Sequence, residues 1–164
     1  MENVVIAGRV IARNILEAGI ECPGLINGFV TRFFDKSIAG TGLTQRQAAE
    51  EGIEAISAIQ SSTSMQSMMR GRRPYTVKLV FNKQNEHIIG GQIVSDSECL
   101  VQYIDVITTA MRGRLTAMDI AMLRCAGQPE LAPDPGMEPI ALAAGKVLNA
   151  LRMPGQTKQS EARQ

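Results

Sequence analysis

The sequence has no tryptophan, one histidine, three cysteines and only 4% aromatic residues among its 164. Each scarcity removes a class of function. A lone histidine, His87, leaves neither a His-based metal site nor a Ser-His-Asp triad to assemble. Cys22, Cys99 and Cys125 are too few and too scattered for a disulfide framework, and no two form a C-x-x-C pair. They read as reduced thiols of a cytoplasmic protein. No run of about 18 apolar residues occurs, so no transmembrane helix is expected. Seventeen basic side chains against sixteen acidic ones leave a formal charge of +1. That excludes bulk attraction to nucleic acid or to an anionic membrane. Composition leans away from catalysis, and no catalytic, cofactor-binding or metal-binding residue is assigned.

What is present is a foldable chain. Hydrophobic residues make up 45% and charged residues 20%, and a chain of this length buries roughly 70% of its unfolded surface in one domain. Val4, Ile11 and Ile15 share a helical stripe with Ala7 and Val10 beside it, ended near Gly19. Phe29 to Asp35 and Ser37 to Thr41 read as short strands. Thr44 with Gln47 makes a capping box for a helix closed by Gly52. Ile53 to Gln60 alternates loosely, and Ser61 to Arg73 reads as a loop. Val77, Leu79 and Phe81 share one face of a strand. A turn at Asn82 to Glu86 leads to Ile88 to Val94, where Gly90-Gly91 permits a bulge or a close backbone approach. Glu98 to Arg112 reads as a helix with Leu100, Ile104, Ile107 and Met111 on one face. A short helix opens at Thr116, with Asp119 in the capping position. After Pro129, Pro133 and Pro135 comes a last helix, Glu138 to Leu151. The sum is an α+β domain, an antiparallel sheet with helices packed on one face or end. Residues 1–22 carry the N-terminal helix, 23–152 the domain, and 153–164 a polar tail expected to be disordered.

Two features invite functional readings. Arg70, Arg72 and Arg73 form the one basic cluster, suited to a phosphate of a coenzyme or to plain solvation. The final helix is apolar nearly all round, and its small residues Ala141, Ala144 and Gly145 admit a close second backbone. One sheet covers one side of a helix, so the other side is expected to form a twofold dimer contact. The residues expected there are Ile140, Ala141, Ala144, Gly145, Leu148 and Leu151.

The stretch YTVKLVFNKQNEHIIGGQIV, followed by YIDVITTAMRGRLTAMDI, closely resembles the C-terminal dimerisation domain of the pyridine nucleotide-disulfide oxidoreductases. The branch it is most similar to is that of NADH oxidase and coenzyme A-disulfide reductase. FFDKSIAGTGLTQRQAAEEG resembles that branch's strand-turn-helix lead-in. AGRVIARNI resembles the last helix of its FAD-binding domain, just before the linker CPG. The resemblance implies a homodimer in which FAD and NAD(P)H are held by other domains. It implies no cofactor in these residues.

Departures accompany the likeness. Where the family carries tyrosine-alanine-proline-proline, this chain has Cys125-Ala126-Gly127-Gln128. Met68-Met69 stand where aromatic residues are expected, while Asp134-Pro135 stays in register. Gly40-Thr41-Gly42 imitates the start of a dinucleotide fingerprint, but Gln45 replaces its third glycine. Three readings remain open from the residues. They are an inactive homodimerisation module, alone or beside a separate flavoprotein subunit; the C-terminal portion of an active flavoenzyme; and a small anion- or coenzyme-binding protein.

Overall fold

Alternation in a strand puts every second side chain on one face, and the run from Tyr75 to Phe81 builds the centre of the domain this way. The computed structural model describes residues 2–17, 19–22, 24–98, 100–123 and 126–152. The region 153–164, read above as a disordered tail, lies outside the described residues. Five strands form one antiparallel sheet in the order β1-β2-β5-β4-β3. They are β1 (Gly28–Phe33), β2 (Lys36–Gly42), β3 (Ala55–Thr63), β4 (Pro74–Asn82) and β5 (Ile88–Ser95). Helix α1 (Glu2–Ile15) precedes the sheet, and α2 (Gln45–Glu50) joins β2 to β3. The helices α3 (Ile104–Arg112), α4 (Ala117–Ala121) and α5 (Pro139–Arg152) follow it.

Tyr75, Val77, Leu79 and Phe81 of β4, with Ile88 and Ile93 of β5 and Ala39 of β2, make the sheet's half of the core. The helices return Ile104, Ile107, Ile120, Ala143, Ala144 and Val147 to the same cluster. Val80 has the opposite parity; it and Ala48 of α2 are buried outside that cluster, and α2 folds against β3.

The Gly90-Gly91 pair does both things its sequence allowed. Val80 pairs with Gly90 while Phe81 pairs with Ile88, so the ladder slips by one residue there. A Cβ on Gly90 would fall onto the backbone of Leu43, and one on Gly91 would lie 2.8 Å from Ile107 Cγ2. Several boundaries differ from the sequence reading, two of them with a clear local cause. β3 runs on to Thr63, taking three residues assigned to the loop, because Ser61, Ser62 and Thr63 find partners in Thr76, Tyr75 and Pro74. The helix over 98–112 begins as a tighter 3₁₀ turn, Leu100–Tyr103, before α3.

Candidate interaction surface

Helix α5 is apolar for two reasons inside one chain. One side lies on β3 and β4, and a second side lies on α4. Of the six residues expected at a dimer contact, three face inward: Ile140 is 5% exposed, Ala144 0% and Leu148 7%. Leu151 is half-buried against the same core. The premise that the chain covers only one side of α5 is thus corrected, because α4 supplies a second cover.

Ala141 and Gly145 are placed differently. Both keep partial exposure and line an open groove of about 520 Å³ with Leu142, Met122, Gln60 and Asn149. A Cβ added to Gly145 meets nothing within 4 Å. Met122 is 71% exposed at the groove's rim. The sequence reading did not single out Met122, although a methionine just after a short amphipathic helix is the kind of adaptable side chain an interface uses. Beside Gly145, Lys146 donates from Nζ to the carbonyl of Ile59 at 2.9 Å, which ties α5 to the outer edge of β3.

A second cavity, of about 440 Å³, adjoins the groove and shares Leu123, Pro135 and Glu138 with it. Its floor is the stacked pair Tyr75 and Tyr103, with ring centroids 6.3 Å apart. The loop over it is pinned at two points. Asp134 Oδ2 accepts from the backbone N–H of Ser67 at 3.1 Å, and Glu138 Oε2 accepts from that of Ala141 at 2.6 Å. The carbonyl of Pro129 accepts from the N–H of Gln66. The Asp134 and Pro129 bonds dock the β3–β4 hairpin tip on the proline-rich loop, while the Glu138 bond caps the first turn of α5.

Arg70, Arg72 and Arg73 occupy that tip and are exposed. Arg72 Nη1 donates to the carbonyl of Met69 at 3.2 Å, and the Arg73 backbone pairs with Ser64. The guanidinium of Arg72 thereby serves its own turn. Cys22 is an exposed free thiol; Cys99 and Cys125 lie outside the described residues. Among the described residues no three His, Cys, Asp or Glu side chains gather as a metal-ligand set, and no helix is long and apolar enough to cross a membrane.

Gly40 and Gly42 lie in β2 between two antiparallel neighbours, not in a βαβ unit. A Cβ on Gly40 would come within 2.7 Å of the Phe29 ring. Thr44 Oγ1 accepts from the N–H of Gln47 at 3.2 Å, and Gln47 Oε1 accepts from the N–H of Thr44 at 2.9 Å. The glycines serve packing and the helix start is already capped, so these residues do not fit a dinucleotide phosphate.

A family model described as the pyridine nucleotide-disulphide oxidoreductase dimerisation domain matches residues 29–136. The chain is 28% identical over 126 residues to the NAD(P)H sulfur oxidoreductase (CoA-dependent) of Pyrococcus furiosus, covering 77% of this chain and 28% of that relative. It is 27% identical over 146 residues to an NADH oxidase of Methanocaldococcus jannaschii, covering 88% of this chain and 31% of the relative. Among solved structures, an NAD-dependent persulfide reductase from A. fulgidus superposes with a TM-score of 0.79 at 28% identity, over 88% of this chain and 26% of that one. The chain therefore spans between a quarter and a third of the length of these relatives.

Proposed function

Because the chain belongs to the pyridine nucleotide-disulphide oxidoreductase dimerisation domain family, we propose that it acts as a homodimerisation module and performs no hydride transfer of its own. Self-association is the role of this domain in the family. The observation that carries the reading to this chain is the open groove at Gly145, where α5 presents bare backbone beside Ala141 and none of the described residues fills the space. A twofold contact is self-complementary, so the α5 of each copy meets the groove of the other. The proposed partner is a second copy, in the cytoplasm. The residues described hold no FAD and no NAD(P)H in this proposal; those belong to domains elsewhere in an oxidoreductase.

Gly145→Glu separates this role from a structural one. The side chain has room within the monomer, and replacing glycine inside a helix favours folding by up to about 1 kcal/mol. The expected result is a wild-type dimer by sedimentation equilibrium and a Gly145→Glu monomer that melts no earlier at low concentration. A wild type of one-copy mass at high micromolar concentration overturns the proposal. So does a variant that still dimerises.

A second reading follows from the share of the relatives that is covered: the residues are the C-terminal portion of an active NAD(P)H-dependent flavoenzyme. The chain spans 28% of the Pyrococcus furiosus relative, so in this reading the chemistry sits in other segments. Reading the DNA upstream of the Met1 codon distinguishes the two. An in-frame glycine-rich FAD domain there supports the second reading, and an in-frame stop codon supports the module. In both readings these residues alone are expected to be colourless and inert, so bound flavin or NADH turnover by the purified chain overturns both.

A further inference from the structure

The outermost strand β3 carries side-chain donors on the side that faces away from the sheet. The Ser64 N–H donates to the Arg73 carbonyl at 2.9 Å, and the Lys83 N–H donates to the Glu54 carbonyl at 2.8 Å. Hydrogen-bonded pairs alternate along an antiparallel ladder. Even-numbered β3 residues therefore bond to β4, and odd-numbered ones turn their backbone groups outward. A row of outward groups along nine residues is a template for another strand. Here that row is interrupted.

Ile59 is the midpoint of β3, and its outward carbonyl accepts from Lys146 Nζ of α5 at 2.9 Å. Towards one end, the Ala55 carbonyl accepts from Gln45 Nε2 at 3.3 Å. The Ser57 hydroxyl holds that same amide in place, donating to Gln45 Oε1 at 2.9 Å. Towards the other end, Gln60 Nε2 donates to the Ser61 carbonyl at 2.9 Å. From Ala55 to Ser61, every two neighbouring outward carbonyls thus include at least one that already holds a donor. An added strand needs such neighbours in succession, because its own N–H groups recur at every second residue. Lys146 is exposed, so an incoming strand would have to break its bond and also strip water from its ammonium.

We propose that Lys146 is a guard of the β3 edge. By holding the central carbonyl of the strand, with Gln45 and Gln60 on either side of it, Lys146 keeps the five-stranded sheet from accepting a further strand there. The ammonium acts in two ways. It occupies the acceptor that a new ladder would need at its middle. It also sets charge at the edge, so that two copies approaching antiparallel about Ile59 would bring their Lys146 side chains together. Methionine in its place keeps the apolar stem but has neither donor nor charge, whereas arginine keeps both. The guard does not depend on the dimer proposed at the α5 groove. Lys146 also lines that groove, and the backbone amides of β3 tell the two surfaces apart.

Sedimentation velocity and amide hydrogen exchange on the full chain test the guard, read against whatever mass the wild type has. Lys146→Met, and more strongly Lys146→Met with Gln45→Ala, is expected to form species larger than the wild type as concentration rises. In those species the outward Ser57 and Ile59 amides slow by about tenfold or more. The Ile56 and Ala58 amides, which face β4, keep one rate and serve as the internal control. Lys146→Arg stays at the wild-type mass, and all variants keep the wild-type melting temperature at low concentration. A methionine variant of wild-type mass, with Ser57 and Ile59 amides fast at every concentration, overturns the proposal. So does growth that leaves those amides fast, since it reports another surface. Ser57 and Ile59 amides already protected in the dilute wild type overturn it too, because the edge is then covered by something other than these side chains.

Discussion

Gly90 shows how one missing side chain shapes the sheet. The Leu43 backbone crosses where a Cβ would stand, and the N–H of Leu43 donates to the Ile89 carbonyl at 2.8 Å. Backbone cannot swing aside as a flexible side chain can. Gly90→Ala is expected to cost about 1–3 kcal/mol or more in urea unfolding, a typical penalty of forced overpacking. Thr116 acts at the same scale. Its hydroxyl and backbone N–H both bond the Asp119 carboxylate, which is held below its ordinary value of 3.8 chiefly by that hydroxyl. A depressed carboxylate stabilises the fold above its unfolded value and loses that share as pH falls through the lower folded value. Thr116→Ala is therefore expected to lower stability by about 1 kcal/mol near neutrality and to flatten the acid limb below pH 3.8. Urea midpoints measured across that limb check both parts. Lys36 has the opposite sign: its bond to Asp96 raises its value above 10.5, so its share persists below that pH and is lost as pH climbs past it.

Elements matter here through what covers them. The centre of β4 is wholly enclosed, with Val77, Leu79 and Phe81 at 0% exposure between α3, α5 and the neighbouring strands. Leu79→Ala is expected to cost about 2–5 kcal/mol in chemical unfolding, because the surrounding elements are too well fixed to close the cavity. Along α5, adjacent residues differ in kind. A carboxylate at Ala144 would be buried unpaired in the core, whereas one at Gly145 enters open space. Ala144→Glu is expected to destabilise the monomer by several kcal/mol while Gly145→Glu spares it. Thermal melts of the two variants at low concentration make that contrast visible. At the N-terminal end, α1 closes on Asn14, whose side chain bonds both the N–H and the carbonyl of Ile20, while Ile11 and Ile15 stay exposed.

At the scale of the molecule, the α5 groove offers shape and small residues to a second copy. A twofold contact of that kind closes on itself at two copies. With a formal charge of +1 and an isoelectric point near 7.7, the chain has little net repulsion to oppose that association at neutral pH. Light scattering of the wild type is expected to rise with concentration more steeply near pH 7.7 than at pH values well away from it. Gly145→Glu should remove that rise. A scattering profile indifferent to the substitution would assign the association to some other surface.

Residue patterns alone determined a good deal. Alternation in Val77, Leu79 and Phe81, the Thr44 and Thr116 caps and the glycine pair are local rules of backbone and side-chain periodicity, and each sits in the fold as its spacing implied. The α+β class followed from the order of those elements, whereas the family followed from the likeness of stretches such as YTVKLVFNKQNEHIIGGQIV. The surface of α5 did not follow, for a physical reason. A helix apolar nearly all round states only that it is covered, never by what, and the coverage by α4 is a long-range contact with no local signature. Only the tertiary structure divided Ala144 from Gly145, one sealed and the other open, although both are small residues on the same helix. Which strands form the edges of the sheet was likewise decided there. Strand order sets which strands lie outermost, and the reach of Gln45, Lys146 and Gln60 gives the β3 carbonyls of Ala55, Ile59 and Ser61 their side-chain donors.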